Sequence, residues 1–475
     1  MVSSSIVGID EAEQRPELRQ VGRLVTIPAA VAAYAFTLHW VYLNLVTGPF
    51  RYLGYTYSDP TFHTLAFTYI AAALAAWILP SRLRRPSDLV LWVVFIVAAA
   101  PAILVPAYAG YQTDDGAMLS GVGIAGAFIL ATLISRRSHG ATVKPLIKPV
   151  SHTSFWLLVG IYTVAVYIII HFTLGLSLNF IGLLEVYDQR DEYRSGLAGT
   201  SGIVGYMVST QANVVNPLII ARGIYSRRWS IVALGVLGQA LLYSGTGFKT
   251  VLFSVPAIAV FALLMWKGRE LRTTWLLWGG VSVAVVAAIV DNIQGDILWT
   301  SLFSRRFLIT PGVLTAAYMQ FYSENPHALL SHSILNGVTE DHYGLPPARV
   351  IGMAMTANPE AAANANVFAD GYANFGILGV AGAAIILGIY LRVLDRVSIG
   401  IPPAVTTLVV IMPAVALSNT SALTAMLSHG LVAAALLLAI APRDGWMDPH
   451  RKKRRQRRQQ FYAIDPHTGR LKSKT

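Results

Sequence analysis

The chain has 475 residues, of which 55% are hydrophobic and 13% are charged, and its formal net charge is +12. Soluble domains carry about 25% charged residues, so the composition excludes an ordinary soluble protein and predicts an integral membrane protein. The chain contains no cysteine, which excludes disulfides, thiol nucleophiles and cysteine metal sites.

The first segment, residues 1–24, is polar and acidic and reads MVSSSIVGIDEAEQRPELRQVGRL. A cleavable signal peptide begins with a short basic region instead, so we predict that the first hydrophobic run is a retained span. We expect residues 1–24 to form a cytoplasmic segment and residues 25–441 to form the transmembrane domain. Residues 442–475 are then a basic cytoplasmic tail.

Long apolar runs recur along the transmembrane domain. A bilayer core about 30 Å thick requires about 20 apolar residues per helix. We predict an all-α, polytopic integral membrane protein with about twelve transmembrane helices and a large, partly helical extracytoplasmic loop. The predicted spans are residues 26–46, 62–80, 88–108, 117–135, 154–175, 202–221, 229–245, 249–266, 273–291, 371–391, 402–418 and 422–441.

Positive charge alternates between the loops. The turns after even-numbered spans are basic, as in SRLRRPSD and KGRELR, and the tail contains RKKRRQRR. By the positive-inside rule these turns and both termini are cytoplasmic, in a multi-pass protein of the cytoplasmic membrane. We expect the tail to anchor the chain against membrane lipids, and we expect no nucleic-acid partner.

A few cations lie on the opposite side, against the topological bias. Of the 36 lysines and arginines, they are Arg51, Arg190, Arg194, Lys249, Arg305, Arg306 and Arg349. Most of them come from two long outer loops, residues 176–201 and 292–370, or from the outer end of a span. If these cations converge over one outer cleft, binding of an anionic ligand at the membrane surface is the simplest explanation for their presence on this side.

The first long loop contains VYDQRDEYR. If residues 185–194 are helical, Tyr187, Arg190 and Arg194 share one face. Two arginines one turn apart can hold two phosphoryl groups through bidentate contacts. The alternative is a surface helix whose charges pair among themselves, for example Asp191 with Arg194.

The second long loop contains a segment with helical spacing. Leu314, Ala317, Tyr318, Phe321 and Tyr322 recur at intervals of three and four residues before SENP ends the pattern. We expect an amphipathic helix that lies on the outer membrane interface or dips into it. Its aromatic residues suit either an interfacial belt or a cleft that stacks sugars.

Several outer groups are candidates for a general base or for polar recognition. Potential bases are Asp188, Glu192, Glu340, Asp341, His342 and Asp370. The segment around His342 fits an exposed turn equally well, and Asp370 fits a helix cap. Asn364 and Asn366 in NANVF suit sugar hydroxyls or plain turn chemistry. His327, His332 and His342 lack the paired spacing of a metal site, so we expect neither a metal nor a cofactor.

The same segments resemble a known family. VYDQRDEYR before a span, GTGFKT at an outer helix start, SRRFLITPGVLTAAYMQFYSENP in a long outer loop and NANVFADGYANFGILG entering the next helix are together similar to bacterial O-antigen polymerases, the Wzy-like oligosaccharide repeat-unit polymerases. The similarity covers about residues 180–395. An arginine-x10-glycine pattern of some of these polymerases fits Arg194 and Gly205 but is not reproduced from Arg305 or Arg306.

The resemblance implies a polytopic glycosyltransferase of the class that also includes O-antigen ligases. Such enzymes transfer glycan from a polyprenyl pyrophosphate carrier on the outer face of the membrane. Donor and acceptor are both lipid-linked glycans, and a chain-length regulator or a flippase is a possible partner. Neither a nucleotide sugar nor ATP is needed.

We combine the residue chemistry with this resemblance to assign roles. The predicted catalytic residues are Arg190, Glu192, Arg194, Asp341 and His342. The predicted pyrophosphate ligands are Arg190, Arg194, Lys249, Arg305, Arg306 and Arg349, because fixed cations stabilise charge on the departing pyrophosphate. The predicted sugar-binding residues are Tyr187, Tyr318, Tyr322, Asn366 and Asp370.

Three other functions stay open at this point. A flippase or other transporter would place polar groups within the spans, and the patch with Gln211, Asn213 and Asn216 is the strongest such signal. A single-addition transferase that uses polyprenyl-phosphate sugar often carries an acidic pair in the first outer loop, where this chain has Asp59 alone. A ligase differs from a polymerase mainly in its acceptor.

Overall fold

A computed structural model describes residues 15–136, 147–174, 202–265, 271–333 and 335–446. Within these ranges the chain is all-α, as predicted, and forms no β-strand. Lipid offers no hydrogen bonds to the backbone, and a helix satisfies its own N–H and C=O groups. The apolar, alanine-rich and leucine-rich runs therefore become helices.

The helices are numbered in chain order. They are α1 (Arg15–Val41, continued by the π-helical turn Tyr42–Val46), α2 (Phe62–Ile78), α3 (Pro86–Ala107), α4 (Asp114–Arg136), α5 (His152–Leu174), α6 (Gly202–Ser226), α7 (Trp229–Thr246), α8 (Lys249–Leu264), α9 (Thr274–Gln294), α10 (Thr310–Glu324, preceded by the π-helical segment Thr300–Ile309), α11 (Pro347–Thr356), α12 (Val367–Val397), α13 (Pro403–Ala416), α14 (Ala422–Ser428) and α15 (Leu431–Ile440).

Many of these helices are long and apolar enough to cross a membrane. In the described part of the chain there are 8, namely α1, α3, α4, α5, α6, α7, α9 and α12. The pair α14 and α15, bent by 52° at a short break, makes a ninth if it is one span. The chain is thus a multi-pass membrane protein. The shorter apolar helices α2, α8 and α13 lie where spans were predicted, and the count of twelve stays a prediction.

The loops sort into two groups at opposite ends of the bundle. At one end, the Leu83 N–H donates to the Leu271 carbonyl oxygen at 3.2 Å, and the Val150 N–H donates to the Ile440 carbonyl oxygen at 3.0 Å. All of these residues fall in turns that the sequence places on the cytoplasmic side. We call this the inner end, and its cytoplasmic orientation stays a prediction.

The other end, here called the outer end, gathers the remaining loops. The Ser58 N–H donates to the Tyr108 carbonyl oxygen at 3.2 Å, and the Val367 N–H donates to the Leu417 carbonyl oxygen at 3.2 Å. The first outer loop, residues 47–61, thus contacts the end of α3, and the start of α12 contacts the end of α13. This alternation of ends matches the predicted order of loops.

The helix predicted in the second long loop is present as α10, and its predicted place on or dipping into the outer membrane interface stays a prediction. Most of α10 is buried, from Pro311 to Met319, and only its last turn reaches the surface. A Cβ atom at Gly312 would collide with the Pro101 carbonyl oxygen of α3. The small residue lets the two backbones touch, so α10 packs inside the outer end.

The longest helix, α12, is kinked near its start. Phe375 and Gly376 leave the helical conformation, and Gly376 has φ +57°, which favours glycine. Across the kink, Gly371 and Gly379 touch backbone to backbone, since a Cβ atom at either would collide with the carbonyl oxygen of the other. The kink folds the short segment 367–374 against the long segment 377–397.

The inner end of α12 is fixed by a carboxylate. Asp395 accepts hydrogen bonds from the Ser87 N–H at 3.1 Å and from the Ser87 hydroxyl at 2.7 Å. The Arg85 guanidinium lies 3.8 Å from the same carboxylate. A carboxylate at the N-terminus of α3 satisfies N–H groups that have no helical partner, so α12 and α3 are joined at this end.

Candidate functional site

The predicted outer cations divide into two environments at the outer end. Arg305 lies in the π-helical segment before α10 and is only 9% exposed. Its guanidinium carbon lies 4.2 Å from the centre of the Phe50 ring and 5.7 Å from that of Tyr55. Phe50 and Tyr55 belong to the first outer loop, so this loop covers Arg305.

Within the described part of the chain, the polar contacts of Arg305 are all to neutral groups. Its Nη2 donates to the Ser301 hydroxyl at 2.8 Å, and its Nη1 donates to the Tyr55 hydroxyl at 3.4 Å. The Tyr55 hydroxyl is also 2.6 Å from the Thr310 hydroxyl. We call Phe50, Tyr55, Ser301, Arg305 and Thr310 the Arg305 cluster.

No carboxylate among the described residues lies within ion-pair distance of Arg305. A buried cation without a counter-charge is costly, because the protein does not replace the hydration that the charge loses. Hydroxyl groups and ring faces compensate only in part. The arrangement is therefore suited to receive an anion, and a guanidinium prefers phosphate-like oxygens.

Lys249 and Arg306 approach the same region. Lys249 begins α8 and is 8% exposed, whereas Arg306 is exposed. One turn beyond Lys249, the Phe253 ring lies edge-on to the Phe303 ring at 5.2 Å between centres. This contact brings the start of α8 against the segment that carries Arg305 and Arg306, and the convergence of all the outer cations over one cleft stays a prediction.

Arg349 is in a different situation. It lies on α11, and its Nη1 forms an ion pair with the Glu360 carboxylate at 3.1 Å. Both side chains are substantially exposed, at 34% and 80%. An exposed pair of this kind contributes about 0–1 kcal/mol to stability, and it leaves Arg349 with a counter-charge that Arg305 does not have.

Five predicted residues of the first long loop lie outside the described residues, namely Tyr187, Asp188, Arg190, Glu192 and Arg194. Their roles stay predictions.

A second group of predicted residues meets where α10 and α12 cross. Tyr322 lies on α10 and Asp370 lies on α12, and His327 follows α10 in the chain. The Tyr322 and His327 rings are stacked with their centres 6.3 Å apart. The Ala328 N–H donates to the Ala373 carbonyl oxygen at 2.9 Å and holds this segment on α12. We call Tyr322, His327 and Asp370 the Asp370 cluster.

Two of the predicted sugar-binding residues are bonded within the protein. The Tyr318 hydroxyl donates to the Ala363 carbonyl oxygen at 2.7 Å. Asn366 is fully buried and caps α12, because its Oδ1 accepts from the Phe368 N–H at 2.9 Å. Its Nδ2 donates to the Pro311 carbonyl oxygen at 2.9 Å and to the Thr315 hydroxyl at 2.7 Å. The cap of this helix is thus Asn366, and α12 begins four residues before the predicted span at 371.

We expect Asn366→Ala to destabilise the protein by about 2 kcal/mol, because the helix loses its cap and two buried acceptors lose their donor. Thermal unfolding of the purified protein in detergent measures the loss. Asn364→Ala is the matched control, since Asn364 is exposed and lies two residues away. An unchanged melting temperature for Asn366→Ala would contradict its role as a cap.

The predicted constellation of Glu340, Asp341 and His342 is an exposed turn. The Asp341 carboxylate accepts from the Tyr343 N–H at 3.2 Å and from the Gly344 N–H at 3.0 Å. These bonds hold the pKa of Asp341 below its usual range, and a weaker base results. His342 Nδ1 lies 3.6 Å from the Glu340 carboxylate. Among the described residues, no three metal-ligating side chains come together.

Sequence reasoning missed Phe50, Tyr55 and His327. The first outer loop, VTGPFRYLGYTYSDPTF, is rich in aromatic residues, which was the available signal for the first two. Phe50 and Tyr55 are about 250 residues away from Arg305 in the sequence. Their contact with Arg305 depends on the packing of α10 against α3. His327 was considered only as a metal ligand, whereas its position next to the kink of α12 gives it a different environment.

Comparison with protein-family models, with curated proteins and with solved structures finds no match for this chain.

Proposed function

We propose that the protein is a glycosyltransferase that polymerises lipid-pyrophosphate-linked oligosaccharide repeat units on the outer face of the cytoplasmic membrane. The observation that supports this most is Arg305, a buried guanidinium whose partners are all neutral. The approach of Lys249 and Arg306 adds positive charge to the same region. The resemblance of residues 180–395 to Wzy-like polymerases supplies the reaction class.

The proposed reaction exchanges one bond for another at the anomeric carbon of the donor glycan. The bond from this carbon to the pyrophosphate oxygen breaks, and the electron pair stays on the pyrophosphate. The hydroxyl oxygen of the acceptor glycan forms the new glycosidic bond, and its proton passes to a general base. Polyprenyl pyrophosphate leaves, so the lipid carrier supplies the energy.

In this reaction Arg305 stabilises the leaving group. Negative charge grows on the bridging oxygen as the bond breaks, so a fixed cation binds the transition state more tightly than the ground state. Ser301 and Tyr55 hold the guanidinium in place through hydrogen bonds. Because the group is already oriented and dehydrated, little reorganisation is needed at the moment of reaction.

The polar patch within the spans favours this proposal over a flippase. Gln211 Nε2 donates to Asn216 Oδ1 at 2.7 Å, and Asn216 Nδ2 donates to Gln239 Oε1 at 3.1 Å. Gln239 Nε2 in turn donates to the Ser254 hydroxyl at 2.7 Å. These amides join α6, α7 and α8 by bonding to one another, as polar groups between membrane helices commonly do.

The test uses purified protein and a panel of polyprenyl-pyrophosphate-linked oligosaccharides, with products separated by size. We expect a ladder of products and release of polyprenyl pyrophosphate. A single new band would replace the polymerase with a ligase or a single-addition transferase. Movement of the lipid-linked glycan across liposome membranes without any cleavage would replace it with a flippase.

A further inference from the structure

The Asp370 cluster contains buried polar atoms that no protein group satisfies. Tyr322 is 2% exposed, and its hydroxyl is buried without a hydrogen-bond partner. The Nδ1 of His327 is buried and unpartnered as well. Both residues are on the described part of the chain, where most buried polar groups are paired. Two such atoms next to each other therefore require an explanation.

Asp370 completes the group. Its carboxylate makes no hydrogen bond or ion pair with any described residue. Ala369 and Ala373, on either side of Asp370 in α12, pack in one hydrophobic cluster with Tyr322, so this part of α12 lies against Tyr322. Burial raises the pKa of Tyr322, and interaction with Tyr343 and Asp370 raises it further. Asp370 and His327 are both partly exposed, and a ligand from the outer end can reach them.

The backbone of α12 makes room for this group. A Cβ atom at Gly376 would lie 3.1 Å from Nε2 of His327, closer than a side chain normally approaches. The positive φ of Gly376 produces the kink at the same position. The glycine thus lets the imidazole occupy the bend of α12, within one to two turns of Asp370.

Aromatic rings surround the unpaired atoms. The Tyr343 ring is edge-on to Tyr322 with centres 6.0 Å apart, and the Tyr372 ring is edge-on to His327 at 5.9 Å. Tyr343 and Tyr372 are half-buried. An aromatic wall with a few converging polar groups is the usual composition of a small-molecule site, and the flat apolar face of a sugar ring stacks on such walls.

The Asp370 cluster and the Arg305 cluster differ in charge. Asp370 is acidic, and the cluster contains no lysine or arginine, so a phosphate group is disfavoured. A neutral ligand rich in hydroxyl groups fits, because each hydroxyl both donates and accepts. The hydroxyl groups of one sugar can donate hydrogen bonds to the Asp370 carboxylate and can also bond to the Tyr322 hydroxyl and to Nδ1 of His327.

We propose that Tyr322, His327 and Asp370 bind the terminal sugar of the acceptor glycan. This inference rests on the proposed function, in which that sugar supplies the attacking hydroxyl. The anionic carrier and the neutral acceptor sugar thus bind to different clusters of the outer end. His327 is a binding residue that the sequence did not predict.

The first test compares two Tyr→Phe variants of α10 by thermal unfolding in detergent. In Tyr322→Phe an unpaired hydroxyl is removed, so the melting temperature is expected to stay equal or rise. In Tyr318→Phe, the matched control one turn away, the Ala363 carbonyl loses its donor, and the melting temperature is expected to fall by about 2 °C. The melting temperature of Asp370→Asn is likewise expected to stay equal to that of the wild type or to rise.

The second test measures two reactions with the substrate panel: transfer of the donor glycan to the acceptor hydroxyl, and hydrolysis of the donor, in which water forms the new bond at the anomeric carbon. Tyr322→Phe and Asp370→Asn are expected to lower chain extension by about 10-fold or more, while release of polyprenyl pyrophosphate from the donor to water continues. Equal destabilisation by Tyr322→Phe and Tyr318→Phe, or chain extension at the wild-type rate, would overturn the proposal. No donor cleavage by the wild-type protein would instead refute the proposed function, a separate and recognisable outcome.

Discussion

Replacing Arg305 with methionine is expected to lower the rate of glycan transfer by about 100-fold or more. The reason is that Arg305 is a buried, fixed cation whose described partners are all neutral, and such a group stabilises charge on the leaving pyrophosphate. Arg305→Lys keeps the charge but loses the two-pronged geometry, so we expect an intermediate rate. Initial rates of polyprenyl pyrophosphate release measure both effects.

Stability provides the control for this prediction. Methionine fills a similar volume without a buried charge, so Arg305→Met is expected to unfold at the wild-type temperature or above it. Arg51→Met is the matched control for activity, because Arg51 is next to Phe50 in the same loop but is exposed, and we expect its rate to change less than about 2-fold. An Arg305→Met variant that is folded and fully active would exclude the pyrophosphate role.

Replacing Gly379 with alanine is expected to destabilise the protein by more than about 3 kcal/mol. The added Cβ atom would collide with the Gly371 carbonyl oxygen across the kink of α12. Backbone atoms cannot turn aside as a flexible side chain can, so the segment 367–374 must separate from the segment 377–397. We expect little monodisperse protein in size-exclusion chromatography and a large fall in melting temperature.

Gly382→Ala is the matched control for this effect. Gly382 is in the same helix three residues further on, and a Cβ atom there has nothing within 4 Å. Alanine has the higher helix propensity by about 1 kcal/mol, so this variant is expected to be as stable as the wild type or more so. If both substitutions were equally harmless, the close contact between Gly371 and Gly379 would be wrong.

Apolar periodicity alone locates most of the helices. The seventh predicted span, 229–245, differs by one residue from α7, and the fourth, 117–135, differs by a few residues from α4. Such helices are defined by their own hydrophobic runs and by the need to satisfy the backbone in lipid. The sorting of loops into two ends follows from the alternation of spans and from the basic turns.

The second long loop was harder to predict for a physical reason. Helical spacing of Leu314, Ala317, Tyr318, Phe321 and Tyr322 predicts a helix on the outer interface or dipping into it. In the structure Gly312 allows this helix, α10, to touch α3, and most of α10 is buried. The first outer loop covers Arg305. Burial of this kind depends on pairing between distant segments, which local periodicity does not encode.

The site was predicted in part, for similar reasons. The bias of cations toward the inner side singles out Arg305 in the sequence, and the structure adds that it is buried with no carboxylate of the described residues within ion-pair distance; anion binding there stays a prediction. The side-chain amide of Asn366 suits sugar hydroxyls or plain turn chemistry, and in the structure it caps α12. A capping role depends on where the helix begins, and the predicted start was four residues too late.

The backbone contact between Gly371 and Gly379 has a mechanical consequence. It couples the short segment that carries Asp370 to the long segment 377–397 without any intervening side chain, and the far end of that segment is held by the bonds between Asp395 and Ser87. Because backbone atoms in contact leave no side chain to absorb a displacement, we expect the two segments of α12 to move as one unit, with the Asp370 carboxylate keeping its position relative to the long segment.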